Sequence, residues 1–499
     1  MANKDARIDM TKGGITPKLF HLAWPLVLGN LLQTFYNLAD MFWVGRVSPE
    51  AVAGVSLMFP LTYLFISTAM GLTAATVALI SQHIGANNER QANRIVAQTM
   101  IFAIVVSIIL AIGGFISRHW ILHTMGARDQ VYIEALMYIE VIFAALPLTF
   151  LFFVFRSSLR AAGDTKTAMW LMVISAGVNV VIDPFFILGW GPFPEWGTRG
   201  AAVATFISRL LAAVVGLYIL LRGDWGIQLF IRDLKPDFSI LRQLFNIGYP
   251  ATLDGWARSF AAVVMAALVA PFGTVAIAAF GIGVRLMSTT WTVSGAIGQA
   301  SATGVGQNLG ARKTGRAAEV TWKGTGGTMG ILFVIGAIVW IFPDVAMRIF
   351  IEDPAVIDEG VVFLRIVALS WAFFGGLMVI QGSFRGAGNT GIAMVLSMLS
   401  RWVFRIPVAL LLAYSWTISI PGLGVVGALN WGETGLWWSY AIGAVASFIV
   451  GALWFLRGTW TEGVISQEDD SSMDSPRDSS PEAPRGTDQE RISSEEVND

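Results

Sequence analysis

Apolar residues run along this chain in long stretches broken by short polar turns, and a helix needs roughly 20 such residues to cross a bilayer. The pattern predicts twelve membrane-spanning helices. They fall at 17–44, 50–82, 91–118, 129–157, 165–189 and 199–222, then at 240–270, 275–307, 316–343, 355–383, 390–414 and 434–457. The expected fold class is therefore an all-α membrane protein.

The two sets of six repeat each other at a spacing of 225 residues. Phe20 and Pro25 return as Phe245 and Pro250, Gln82, Gly85 and Ala86 as Gln307, Gly310 and Ala311, and Arg160 to Thr165 as Arg385 to Thr390. The stretch Leu221 to Trp225 returns as Leu456 to Trp460, offset by 235, so one ten-residue insertion separates the halves. Each half holds an even number of spans, so the halves enter the membrane in the same direction, related by an axis along its normal. The predicted architecture is two pseudo-symmetric six-helix bundles around a central cleft, where substrate is expected. An N-terminal segment 1–16 leads into an N-lobe 17–222, a linker 223–239, a C-lobe 240–457 and a tail 458–499.

Composition agrees with a membrane protein and narrows the chemistry. Hydrophobic residues make up 55% of 499, charged residues 13%, and mean hydropathy is +0.63, too little charge to cover a soluble globule of this length. Cysteine is absent, so disulfides, thiolate metal sites and thiol catalysis are excluded. The net charge of −1 hides an asymmetry: about a third of the acids lie after residue 461, in a Ser-, Pro-, Asp- and Glu-rich tail expected to be disordered. The N-terminus starts polar and basic, without the short apolar core of a signal peptide.

Lys4, Arg7, Lys12 and Lys18, then Arg90 and Arg94, Arg156, Arg160 and Lys166, Arg232 and Lys235, and Arg312, Lys313 and Arg316 all fall on one side of the predicted spans. Basic loops stay in the cytoplasm, so both termini are expected inside a multi-pass plasma-membrane protein.

Polar groups inside the spans mark candidate chemistry, because an ionisable side chain there costs at least about 2.5 kcal/mol by insertion scales. Asn30, Gln33, Asn37 and Asp40 lie three and four apart along one face of the first span, with Tyr36 one turn before the acid. In the repeat, Asp40 becomes Met265, as expected of a residue with a one-sided task. Asp40 also reads as an edge acid solvated by headgroups near Arg46. Asp183 follows Asn179 by one turn in the fifth span and is followed by Pro184; their repeat counterparts are Val408 and Phe404. The proline denies the Val180 carbonyl its helical partner, so an oxygen-rich pocket can form from the Asp183 carboxylate, the Asn179 amide and that carbonyl, suited to a proton or a small hard cation such as sodium. Alternatively, the Asp-Pro step only caps a kink. In the second half, Asp254 and Arg258 are one turn apart, as are Arg401 and Arg405, a charge network read either as structural ion pairing or as contact with substrate or lipid headgroups. Glu140 aligns with Arg365, which leaves a cross-repeat pair open.

The glycine-rich runs lack the lysine and strand-to-helix context of a phosphate loop, the four histidines have no metal-ligand spacing, and no nucleophile–base pair is evident. Neither an enzyme nor a nucleic-acid binder is expected, and ATP is not the expected energy source.

YNLADMFWVG with Asp40, SQHIGANNERQA repeated as GQNLGARKTGRA, FRSSLRAAGDT, VNVVIDPFFILG with Asn179 and Asp183, and GTRGAAVAT before Arg209 together resemble the MATE family of multidrug and toxic compound extrusion transporters, over residues 15 to 460. The resemblance is to the branch with DinF-type and archaeal members. It implies a prokaryotic plasma-membrane antiporter exporting small organic, often cationic or amphipathic, compounds against inward protons or sodium, with no other cofactor, working as a monomer among membrane lipids. It also implies an ion site built from Tyr36, Asp40, Tyr138, Asn179, Asp183 and Thr205. The nearest rival is a lipid-linked oligosaccharide flippase of the same superfamily, for which Arg258, Arg401 and Arg405 would hold a phosphate and against which the first-half acids argue.

Overall fold

The computed structural model describes residues 7–224, 226–415, 417–420 and 424–465. The first half folds into α1 (Ile15–Val44), α2 (Pro49–Gly85), α3 (Glu89–Thr124), α4 (Asp129–Ala161), α5 (Thr165–Ile187) and α6 (Gly197–Arg222). The second half contains α7 (Phe238–Val269), α8 (Thr274–Gly310), α9 (Thr314–Ile341), the short α10 (Pro343–Arg348), α11 (Pro354–Val367), α12 (Trp371–Gly386), α13 (Thr390–Met398), a π-helical segment Leu399–Arg405, α14 (Ile406–Ala413) and α15 (Glu433–Leu456). α11 and α12 form one apolar span, Pro354–Gly386, and α13 to α14 another, Thr390–Ala413.

Among the described residues, eleven spans are long and apolar enough to cross a membrane. α1 is the twelfth: its 30 residues reach about 45 Å, and the polar stripe from Asn30 to Asp40 is what lowers its hydropathy. The turns between spans are set by side-chain caps. Ser48, Asn88, Asp164 and Asp237 each accept a backbone N–H at the start of α2, α3, α5 and α7. The extra ten residues of the second half lie between α14 and α15. There the chain forms an antiparallel hairpin of β1 (Thr417–Ile420) and β2 (Gly424–Gly427), where the first half has only the short turn 188–196.

One core is built almost wholly from first-half residues, among them Phe143, Phe150, Phe152 and Phe155; a second belongs to the other half, with Phe363, Trp371 and Trp437. A third joins Leu19, Leu22 and Leu26 of α1 to Ala300 and Val305 of α8. In lipid, tight packing rather than water exclusion holds helices together, and glycines set how closely they approach. The halves meet most closely at the end that bears both termini. There a Cβ on Gly85 would strike the Gln307 carbonyl, and one on Gly310 would strike the Gln82 carbonyl. The repeated Gln-x-x-Gly is thus a crossing point of α2 and α8 about the pseudo-two-fold axis.

Two expectations change. Glu140 pairs with Arg118 at 2.8 Å instead of Arg365, because α3 and α4 are adjacent and bring Arg118 to it directly. The polar tail does not begin at 458: residues up to 465 are folded, with Trp460 buried against Phe455. The rest of the predicted tail lies outside the described residues.

Candidate functional site

The six residues expected from the sequence to form an ion site come from four helices of the first half: Tyr36 and Asp40 from α1, Tyr138 from α4, Asn179 and Asp183 from α5, and Thr205 from α6. α1 packs along α5 and touches α6, and α4 packs on both α5 and α6, so the four helices converge. Tyr36 and Thr205 share a hydrogen bond of 3.1 Å between their hydroxyls. Asn179 and Asp183 are fully buried and Tyr138 nearly so, while Asp40 is half-buried with its Oδ1 sealed. Asp40 and Asp183 lie within electrostatic reach of each other, and Tyr138 within reach of Tyr36 and both acids.

The site is short of hydrogen bonds. Asp40 Oδ1, both carboxylate oxygens of Asp183 and both amide atoms of Asn179 are buried with no hydrogen bond of ordinary geometry among the described residues, Asn179 standing close enough to Asp183 to interact with it. Buried polar atoms are normally paired, and a lone buried carboxylate is costly. What collects here is a set of hard oxygen donors, matched in chemistry to a proton or a small cation. Pro184 sits inside α5 one turn before its end, and the polar stripe divides: Gln33 donates to Asn37 at 3.1 Å on an exposed face, while Tyr36 and Asp40 turn inward.

Arg209 of α6 completes this region. Its guanidinium lies 4.3 Å from the Phe152 ring centre and 5.9 Å from that of Tyr36, and donates to Ser175 Oγ at 3.3 Å. An arginine in mid-span is itself a signal of function, and its repeat counterpart is Ala444, so the test of asymmetry that singles out Asp40 also finds it. Glu134 is likewise buried, accepting from Thr198 Oγ1 at 2.7 Å and Gln130 Nε2 at 2.9 Å, and is a satisfied structural acid.

The second-half charges form a separate cluster. Asp254 accepts from Arg258 at 2.7 Å and from Arg385 of α12 at 2.9 Å. Arg401 donates to Ser397, and Arg405 stacks on Tyr440 at 4.1 Å from its ring centre. Arg385 belongs to the motif that repeats Arg160 to Thr165, and its partner is 131 residues away.

The family profile described as MatE matches residues 25–185 and 250–411, the two repeats in turn. The chain belongs to the MATE family of transporters. It is 30% identical over 409 residues to the "Probable multidrug resistance protein YoeA" of Bacillus subtilis strain 168, covering 80% of this chain and 88% of that protein. To the "Probable multidrug resistance protein NorM" of Thermotoga maritima it is 28% identical, covering 90% and 94%. Its fold matches a solved structure described as the "Outward-facing conformation of a multidrug resistance MATE family transporter of the MOP superfamily" with a TM-score of 0.82 at 24% identity, covering 91% of this chain and 98% of that one. The relatives are MATE transporters, in line with the membrane transporter expected from the sequence.

Proposed function

We propose that this protein is a secondary antiporter that exports organic, cationic or amphipathic compounds across the plasma membrane against an inward flow of protons or sodium ions, with both termini in the cytoplasm. The observation that carries the reading is the buried oxygen set of Asp40, Asn179 and Asp183 in the first half, short of hydrogen bonds of ordinary geometry. Relatives named for multidrug resistance support the export of organic compounds. The concentration of Arg90, Arg94, Lys166, Arg232, Lys235, Arg312, Lys313 and Arg316 at the end bearing the termini supports the orientation.

In this mechanism the two acids hold negative charge when the site is empty and lose it when a cation binds. α1 carries Tyr36 and Asp40 on one side and packs against α8 of the other half, so ion binding at α5 acts on a helix that belongs to both interfaces. Exchange follows if the ion binds one of two global arrangements more tightly than the other, since only differential affinity shifts an equilibrium. With that end in the cytoplasm, the crossing of α2 and α8 closes the inward route.

The second reading, flipping of a lipid-linked sugar phosphate, is favoured by the arginines at 258, 401 and 405. Efflux of ethidium from vesicles under separate pH and sodium gradients separates the two. Loss of gradient-driven efflux in Asp40→Asn and Asp183→Asn supports antiport and names the ion; efflux indifferent to both gradients and both substitutions would sink it and put flipping first.

A further inference from the structure

Beside the ion site, the second half carries an excess of positive charge, one buried and three half-buried arginines, that ion pairing does not absorb. Arg258, Arg385, Arg401 and Arg405 meet one carboxylate, Asp254, among the described residues. An arginine at the centre of a span costs about 2.5–3.5 kcal/mol by insertion scales, so Arg401 and Arg405, which have no carboxylate partner among the described residues, call for an explanation beyond packing. The Nε atoms of Arg258 and Arg405 and the Oδ1 of Asp254 are buried with no hydrogen-bond partner. A guanidinium offers five donors in a planar fork suited to carboxylate and phosphate oxygens, and these forks are only partly used.

Three further observations give the cluster a place and a shape. Arg401 and Arg405 sit on the π-helical segment Leu399–Arg405, whereas the matching stretch of the first half is regular α5; such segments recur at functional sites. Tyr63 of α2 lies within electrostatic reach of both Arg258 and Arg401, and Trp256 Nε1 donates to the Leu64 carbonyl at 3.4 Å, so the cluster borders the junction between the halves. Phe260, two residues after Arg258, stacks at 5.7 Å on Trp402, the residue after Arg401, an apolar pair on the same two elements. The repeat counterparts of Asp254, Arg258, Arg401 and Arg405 are Gly29, Gln33, Ala176 and Val180, while Arg385 repeats Arg160, so all of the cluster but Arg385 is private to this half.

We infer that the second half holds an anion-binding site for the head of an amphipathic organic acid, with Arg258 and Arg401 gripping its carboxylate or phosphate and Phe260 and Trp402 covering its body. This deepens the export reading, on which it rests for the role of cargo, and gives the two halves opposite jobs: cation in the first, acidic head in the second. The same chemistry is offered by an anionic lipid headgroup.

The test uses the full chain in phosphatidylcholine nanodiscs, with fluorescein as an aromatic carboxylate read by anisotropy. Dodecyl phosphate displaces the dye and dodecyltrimethylammonium, the same chain with the opposite charge, does not. Arg401→Gln, which leaves both Asp254 ion pairs in place, weakens binding about tenfold or more, and Arg401→Lys by less than about threefold. Nanodiscs with phosphatidylglycerol identify the source: dye binding lost in them but regained as the lipid is diluted assigns the site to a lipid headgroup, and dye binding retained assigns it to a free acid. No dye bound to the parent chain in phosphatidylcholine, equal displacement by dodecyltrimethylammonium, or unchanged affinity in Arg401→Gln overturns the inference; should that variant fail to fold, competition on the parent chain alone decides. If the dye does not bind while Asp40→Asn still abolishes gradient-driven ethidium efflux, the anion site falls and the antiport reading stands.

Discussion

Gln82 and Gln307 make the same contacts in opposite directions across the junction of the halves. The Gln82 amide donates to the Gly386 carbonyl at 3.1 Å, and the Gln307 amide to the Ala161 carbonyl at 3.4 Å, each reaching the end of the other half's fourth span. Their side-chain oxygens accept from the segments that flank the two bundles, Gln307 from Met10 N at 3.0 Å and Gln82 from Ile465 N at 3.5 Å. The N-terminal segment also runs from Ile8, whose N–H donates to the Gly163 carbonyl, to Arg316, which donates to Met10 and Gly13 carbonyls. The terminus-bearing end is thus held by a reciprocal clasp.

Neutral hydrogen bonds contribute about 0.5–1.5 kcal/mol each, so Gln82→Ala with Gln307→Ala should remove about 2 kcal/mol from this closure, roughly a thirtyfold shift toward separation of the halves. The cysteine-free chain permits clean labelling. Spin labels on Arg90→Cys and Gly315→Cys, exposed repeat counterparts near the starts of α3 and α9, should report a longer distance population in the double alanine variant. An unchanged distribution would show that the clasp does not hold the end closed.

Gly85 tests the same crossing by volume. A Cβ there meets the Gln307 backbone, which cannot swing aside like the end of a flexible side chain, so Gly85→Ala should cost about 1–3 kcal/mol and open the crossing. Gly326→Ala in α9 is the control: nothing lies within 4 Å of its added carbon, and replacing a mid-helix glycine should stabilise by about 0.5–1 kcal/mol. Thermal unfolding in one detergent compares the two. Equal midpoints would mean that the halves are not in backbone contact in solution.

A ligand that binds only the folded state stabilises it, by about 2.7 kcal/mol when present at 100 times its dissociation constant. The parent chain should therefore melt higher in sodium chloride than in choline chloride at equal ionic strength if sodium is the coupling ion, and Asp183→Asn should lose the difference. Equal melting of the parent chain in both salts assigns coupling to the proton. A sodium effect that persists undiminished in Asp183→Asn removes Asp183 from the site.

The spans were legible because a bilayer imposes a length, and the inward acids because they interrupt apolar helices and vanish in the repeat. Arg209 carried the same signal as Asp40. Other features have no local signature. Arg385 looks like a repeated motif residue, and nothing near it in sequence announces Asp254. The π-helical turn at Leu399–Arg405, which packs against α15, has no signature in residue propensity. The repeated glycines were visible, but their reason, carbonyl contacts between halves 225 residues apart, appears only once α2 and α8 are brought together.

Trp460 shows the limit of reading a boundary from composition. It follows the last apolar run in the polar stretch Gly458-Thr-Trp-Thr-Glu462, which reads as the start of a tail. In the structure the turn after α15 folds it back. The indole stacks on Phe455 at 4.5 Å and donates to the Phe455 carbonyl at 2.9 Å, and only 3% of the residue is exposed. Phe455 in turn packs edge-on to Trp322 and Phe384, so the residue is tied to α9 and α12 as well as to its own helix. Trp460→Ala should cost about 3 kcal/mol through the cavity it leaves, and Trp460→Phe distinctly less because the stacking survives while the indole hydrogen bond is lost. Thermal unfolding of the three chains in the same nanodiscs measures both steps. A midpoint in Trp460→Ala equal to that of the parent would return residues from 458 onward to the tail.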